Sequence, residues 1–264
     1  MHSNNSWARG FMALFAIVLA MGFALAACPA EAAPFLYVTD INDNIVSVVD
    51  TATNTVVATI PVGRQPFAVA VTPDGTKVYV TNNEDNTVSV IKTATNTVVK
   101  TVPVGNSPYG VAVTPDGTKV YVVNSGSNNV SVFHRPGFTL VATIPVGNRP
   151  VAVAITPDGT QAYVANSKDA TVSVINTATN TVAGLPIPVG NGPYWVAVNP
   201  NGTQAYVTNS NSDTVSVIKT ANRAVVATIP VGSGGQPIGV AFTPDGTHAY
   251  VVSVFGPPSD RMSR

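Results

Sequence analysis

Residues 66–104 read P-F-A-V-A-V-T-P-D-G-T-K-V-Y-V-T-N-N-E-D-N-T-V-S-V-I-K-T-A-T-N-T-V-V-K-T-V-P-V. Four runs rich in Val, Ile and Tyr are separated by Asp-Gly, Asn-Asp and Thr-Asn turn pairs, the pattern of short strands joined by tight turns. The Tyr-Val pair recurs at Tyr37, Tyr79, Tyr121, Tyr163, Tyr206 and Tyr250, at spacings of 42, 42, 42, 43 and 44 residues. A period in the forties with four strands per repeat is the pattern of a propeller blade. The expected fold is therefore all-β, a β-propeller of four-stranded antiparallel blades.

Working outward, strands A to D of this repeat are expected at 67–71, 78–81, 88–91 and 98–102. Strand A returns at Tyr109, Val151, Tyr194 and Ile238. Thr-Pro-Asp-Gly-Thr joins A to B at 72–76, 114–118, 156–160 and 243–247, with Asn199-Pro200-Asn201-Gly202-Thr203 as its variant. Proline sets one φ of such a turn and glycine takes the positive φ that closes it. Asp74, Asp116, Asp158 and Asp245 are accordingly turn formers, not catalytic acids. Strand A alternates bulky and small residues, so a large face of one blade can nest on a Gly/Ala face of the next. Trp195 breaks that rule at the slot of Ala68, Gly110, Ala152 and Gly239. It reads either as a filler of a void between blades or as a stacking platform.

The ends of the series are irregular. The first strands, 35–39, 45–49 and 56–61, are of B, C and D type, and the last, 238–242 and 250–254, are A and B. A terminal A strand joined to the first B, C and D would complete a fifth blade and leave 250–254 surplus. Five repeat units plus one strand thus imply either a closed five-bladed ring or a shortened form of a larger one.

Residues 1–34 read as a signal peptide and spacer, 35–254 as the propeller and 255–264 as a polar tail. Arg9 and an apolar run from Phe11 to Ala27 precede small residues, as in an export leader. Leu25-Ala26-Ala27-Cys28 resembles a lipobox, which would lipidate Cys28; Ala30-Glu31-Ala32 offers ordinary cleavage instead. The expected location is the periplasm or cell surface, held by a lipid on Cys28 or free, with secretion as the alternative. Cys28 is the single cysteine, so no disulfide is expected in the mature chain. Hydrophobic content of 45% with 10% charged residues suits strands covered on both faces. Thirteen basic and thirteen acidic residues, without a basic run, argue against nucleic-acid binding.

The motif names a family. Tyr79-Val80-Thr81-Asn82 and Tyr206-Val207-Thr208-Asn209 match the YVTN β-propeller repeat, with near matches at residues 37, 121 and 163. The flanking Val-Ala-Val-Thr-Pro-Asp-Gly and Thr-Ile-Pro-Val-Gly are also similar to that family, and the resemblance spans 35–254. It implies an exported or surface protein but no single activity, because surface-layer components, adhesins and proteins tied to periplasmic quinone-dependent oxidation share the repeat. Its members usually carry seven blades, a count this chain does not reach.

The A–B and C–D turns repeat closely, whereas the B–C turns and the D-to-A crossings vary. That second edge is the candidate recognition face, with Arg64, Tyr109, Arg149, Tyr194 and Trp195 as ligand- or partner-binding residues. No enzyme activity, cofactor or metal is expected. The mature chain offers only His134 and His248, both in turns, and strand A carries no charged residue. Asp40-Ile41-Asn42-Asp43-Asn44 begins like a calcium loop but has Ile45 where the turn glycine belongs. The expected function is a non-catalytic scaffold that binds an unknown protein or cell-surface partner. The alternatives are a lactonase-like hydrolase, an accessory of a quinone-dependent oxidation system, and a lattice-forming surface protein.

Overall fold

The computed structural model describes residues 35–254 apart from 136 and 233. Cys28, the leader and the tail from 255 lie outside these residues. The chain divides into two compact units at Val111/Ala112, within one strand.

The first unit begins with a three-stranded sheet of β1 (Phe35–Asp40), β2 (Ile45–Asp50) and β3 (Thr55–Pro61). A four-stranded sheet follows, of β4 (Pro66–Val71), β5 (Lys77–Asn82), β6 (Thr87–Lys92) and β7 (Thr97–Pro103). The boundary falls in β8 (Pro108–Val113). With β9 (Lys119–Asn124), β10 (Asn129–His134) and β11 (Thr139–Pro145), β8 makes the third sheet.

In the second unit β12 (Pro150–Ile155), β13 (Gln161–Asn166) and β14 (Thr171–Asn176) carry an outer strand split into β15 (Thr181–Val182) and β16 (Ile187–Pro188). One residue inserted in Ala183-Gly184-Leu185-Pro186 causes the split and accounts for the 43-residue spacing. The fifth sheet is β17 (Pro193–Val198), β18 (Gln204–Asn209), β19 (Thr214–Lys219) and β20 (Ala224–Pro230); the sixth is β21 (Pro237–Phe242) and β22 (Ala249–Ser253). All pairings with assigned register are antiparallel, and the expected strands reappear within a residue or two.

The mixed fifth blade is not among the sheets of the described residues. β21 pairs with β22 in a sheet of its own, while β1, β2 and β3 form another. The 250–254 run is therefore the natural partner of the last A strand: the Asp245-Gly246 turn holds the two as a hairpin, and local pairing has the lower closure entropy.

Each sheet packs through alternate side chains. In the first unit Tyr37, Val46, Val48 and Ile60 of the first sheet meet Val69, Val78, Val80 and Ile91 of the second. In the second, Tyr121, Val130, Val132 and Ile144 meet Ala162, Val164 and Ile175. Burying such a Val or Ile contributes about 1.5–3 kcal/mol.

The repeated motif has a separable job for each polar residue. Asn82, Asn166 and Asn209 are fully buried. Each Nδ2 donates to two hydroxyls of the neighbouring strand, at 2.9–3.1 Å: Thr87 and Ser89, Thr171 and Ser173, Thr214 and Ser216. Thr39 and Thr81 instead reach the next sheet, donating to the carbonyls of Phe67 (3.1 Å) and Tyr109 (2.7 Å). The A–B turns are built as expected: Asp74 Oδ1 accepts from the Thr76 N–H at 3.1 Å, and Gly75 takes φ 67°.

Candidate functional site: the crossing edge

Within each unit the crossings from one sheet to the next and the B–C turns meet at an edge, as expected. The contact is a regular weave. In the first unit the Gln65 N–H donates to Asn44 Oδ1 (2.9 Å) and the Ser107 N–H to Asn86 Oδ1 (2.7 Å). In the second, the Arg149 N–H donates to Asn128 Oδ1 (2.8 Å) and the Gln236 N–H to Asp213 Oδ1 (2.9 Å). Four of the five crossings thus hang on a side chain of the turn before them, the one at Gly192 being the exception.

At two crossings a side chain of the turn that follows grips as well. Asp85 accepts from the Arg64 N–H at 2.7 Å and from Arg64 Nε at 2.6 Å, and Glu84 lies 3.8 Å from the same guanidinium. Asp169 accepts from the Asn148 N–H at 2.6 Å and from its Nδ2 at 2.9 Å. The backbone N–H of Arg64 first, and then its guanidinium, hold the Asp85 carboxyl below the usual carboxylate range. Asp169 is lowered by the Asn148 N–H, and Asp213 by the N–H groups of Gln236 and Gly234.

This geometry forces left-handed backbone. Gln65, Ser107, Arg149 and Gln236 have φ of 51°, 49°, 51° and 42°, and only Gly192 fills the slot with glycine. Side chains here stand on a constrained backbone, and Arg64, Asn106, Asn148, Arg149 and Gln236 are exposed. The supporting Asn44, Asn86, Asn128, Asp85, Asp169 and Asp213 escape a reading of the turns as merely variable. Their signal is an offset of 21 residues, half the period, between turn and crossing, stretched to 23 from Asp213 to Gln236.

The five expected site residues fall at the junction of crossing and strand A. In the first unit Arg64 is drawn to Asp85 and Glu84, and Tyr109 packs its partly exposed ring on Phe67, with centroids 4.1 Å apart. In the second unit Arg149 precedes β12, its guanidinium without an ion pair or hydrogen bond among the described residues. Tyr194 and Trp195 stand near the start of β17, both partly exposed, where Ala68 and Ala152 at the Trp195 slot are buried. The Trp195 N–H donates to Thr208 Oγ1 at 3.1 Å, fixing the strand beneath the ring. Among the described residues no cluster of three His, Cys, Asp or Glu side chains is arranged to hold a metal ion.

Comparison with known proteins agrees with this architecture. A family model described as the YNCE-like beta-propeller matches residues 5–119, and one described as the choice-of-anchor I domain matches residues 81–237. Among solved structures, Kuenenia stuttgartiensis hydrazine synthase is 29% identical with a TM-score of 0.75, covering 82% of this chain and 70% of that one. A functionally unknown protein from Desulfotomaculum acetoxidans is 22% identical with a TM-score of 0.75, covering 83% and 72%. A streptogramin B lyase, at 14% identity and a TM-score of 0.73, covers 85% and 74%; these last two show the fold alone. A search of curated protein sequences gave no match. The choice-of-anchor match spans more than half of the chain, so the chain belongs to the choice-of-anchor I domain family and is a YVTN-type β-propeller repeat protein.

Proposed function

We propose that this chain is an exported, non-catalytic propeller whose crossing edge binds a protein or cell-surface ligand. One observation carries the reading. The crossing backbone is held by the same kind of hydrogen bond at four of its five crossings, while its exposed side chains differ from repeat to repeat. A rigid frame with changeable side chains binds with little ordering cost. Arg64 and Tyr109 in one unit, and Arg149, Tyr194 and Trp195 in the other, are the binding residues, with the partly exposed Trp195 as a stacking platform. The leader-like N-terminus and the match to a domain described as choice-of-anchor support a place at the cell surface, through a lipid on Cys28 or as a free protein.

The test is binding of labelled protein to envelope preparations. Replacing Arg64, Arg149 and Trp195 together should abolish saturable binding while the melting temperature holds. Unchanged binding would move the reading to the A–B/C–D edge. Mass spectrometry of the processed protein decides the anchor: diacylglyceryl on Cys28 in a membrane fraction, or a soluble species beginning near Ala33.

A second reading, an enzyme or an enzyme's accessory chain, is favoured by the likeness to a hydrazine synthase chain. An activity that survives those three substitutions would favour it.

A further inference from the structure

Within each unit a sheet has a forward face, toward the sheet that follows, and a rear face toward the one before. Tyr37 and Tyr121 stand on forward faces, packed on Val78, Val80 and Ile91 in one case and on Ala162, Val164 and Ile175 in the other. Their hydroxyls complete the contact by reaching a turn asparagine 59 residues on: Tyr37 to Asn96 Oδ1 at 3.4 Å, Tyr121 to Asn180 Oδ1 at 3.1 Å.

Both halves of this interface recur uncovered. Tyr250 holds the Tyr37 position on the forward face of the sixth sheet and is 66% exposed, with Val252 beside it at 56%. Tyr79, Tyr121 and Tyr163 are all 0% exposed. On the rear face of the first sheet, Leu36, Val38 and Val49 hold the positions of Val78, Val80 and Ile91. They are partly exposed where those three are fully buried. The first sheet also presents Asn54, exposed and at φ 55°, the turn conformation of Asn96 (49°) and Asn180 (54°).

We propose that these faces bind each other between two copies of the chain. The forward face of the sixth sheet of one copy seats on the rear face of the first sheet of another. Tyr250 lies over Leu36, Val38 and Val49, and its hydroxyl donates to Asn54 Oδ1. The occupant is a second copy because the contact continues one that the chain already makes between its own sheets, residue type for residue type. Thirteen basic and thirteen acidic residues leave no net charge to oppose association. The two faces differ, so the contact is heterologous and copies add head to tail. Only two strands supply the forward face, so the association is weak and concentration-dependent. This surface is separate from the crossing edge and does not depend on its role.

The experiment uses the full chain with Cys28→Ser throughout. One protein carries Tyr250→Cys, another Asn54→Cys, and a short bis-maleimide is added to each alone and to the mixture. A cross-linked dimer enriched in the mixture is expected. In parallel, sedimentation should show self-association that Tyr250→Asp shifts to about tenfold higher concentration. Should that variant misfold by circular dichroism, the mixed cross-linking still decides. Equal cross-linking in mixed and unmixed samples, or a monomer at every concentration, overturns the proposal. So does a doubly substituted chain that cross-links only within itself at high dilution.

Discussion

The phenol of Tyr121 donates to Oδ1 of Asn180, 59 residues further along, from a side chain that is wholly enclosed. One motif residue thereby reads the turn of the following sheet. Burial first, and the Asp116 carboxylate second, push the Tyr121 phenol up to about 12. A group raised in the folded state favours folding fully below its unfolded value near 10, and that contribution is lost as pH rises through about 12. Stepwise alkaline titration by tyrosinate absorbance should show late ionisation of Tyr121. Tyr121→Phe should remove that late step. An early, complete tyrosine titration of the folded protein would contradict the packing.

Ala170 stands at φ 53° where the other B–C turns place Asn44, Asn86, Asn128 and Asp213. It carries a left-handed backbone penalty without the side-chain acceptor those residues offer the next crossing. Ala170→Asn should stabilise the protein by about 1 kcal/mol, through an easier turn and a new bond to the Gly192 N–H. Asn128→Ala should cost a similar amount. Urea unfolding of both variants checks the pair.

Gly147 lies against the buried Asn166. A Cβ added there would stand 2.6 Å from Asn166 Cγ and 2.8 Å from Asp169 Oδ2. Gly147→Ala should therefore cost about 1–3 kcal/mol, since the enclosed asparagine cannot retreat without breaking its hydroxyl bonds. Among the described residues Gly137→Ala meets only a methyl of Thr139, at 3.4 Å, and should be nearly silent in the same thermal melt.

The A–B turns differ in their response to acid. The Thr243 hydroxyl and then the Thr247 N–H hold Asp245 down to about 2. A depressed carboxyl supports the fold above its unfolded value near 3.8, and that support is lost as pH falls through about 2. In the fifth sheet Asn201 Oδ1 accepts from the Thr203 N–H at 3.0 Å and carries no proton to gain. The amide NMR shift of Thr247 should move between pH ~4 and 2, while that of Thr203 stays flat. Parallel movement of both would show that the turns respond as one cooperative unit.

Strand alternation and the Pro-Asp-Gly turns are settled by a few adjacent residues, so the sheets and the A–B hairpins were legible in the chain itself. The same locality explains the five candidate residues, which stand out as bulky or charged side chains at the ends of strands. It could not reveal Asp85, Asp169 or Asn128 as their supports, because each belongs to a turn on a different sheet. Nor could it show that Trp195 stays partly exposed, since that depends on what packs above its slot.

By itself, then, the sequence determined the repeat, its four strands, and which residues turn the chain, through periodicity and backbone preference acting over a few residues. Only the tertiary structure decided that the motif asparagines are buried beneath close-packed glycines, and that most crossings hang on the turn before them. It also decided that Ile238–Phe242 pairs with its own hairpin partner rather than with the first sheet. These outcomes depend on contacts between sheets, and a contact across dozens of residues leaves no mark in the local alternation that specifies a strand.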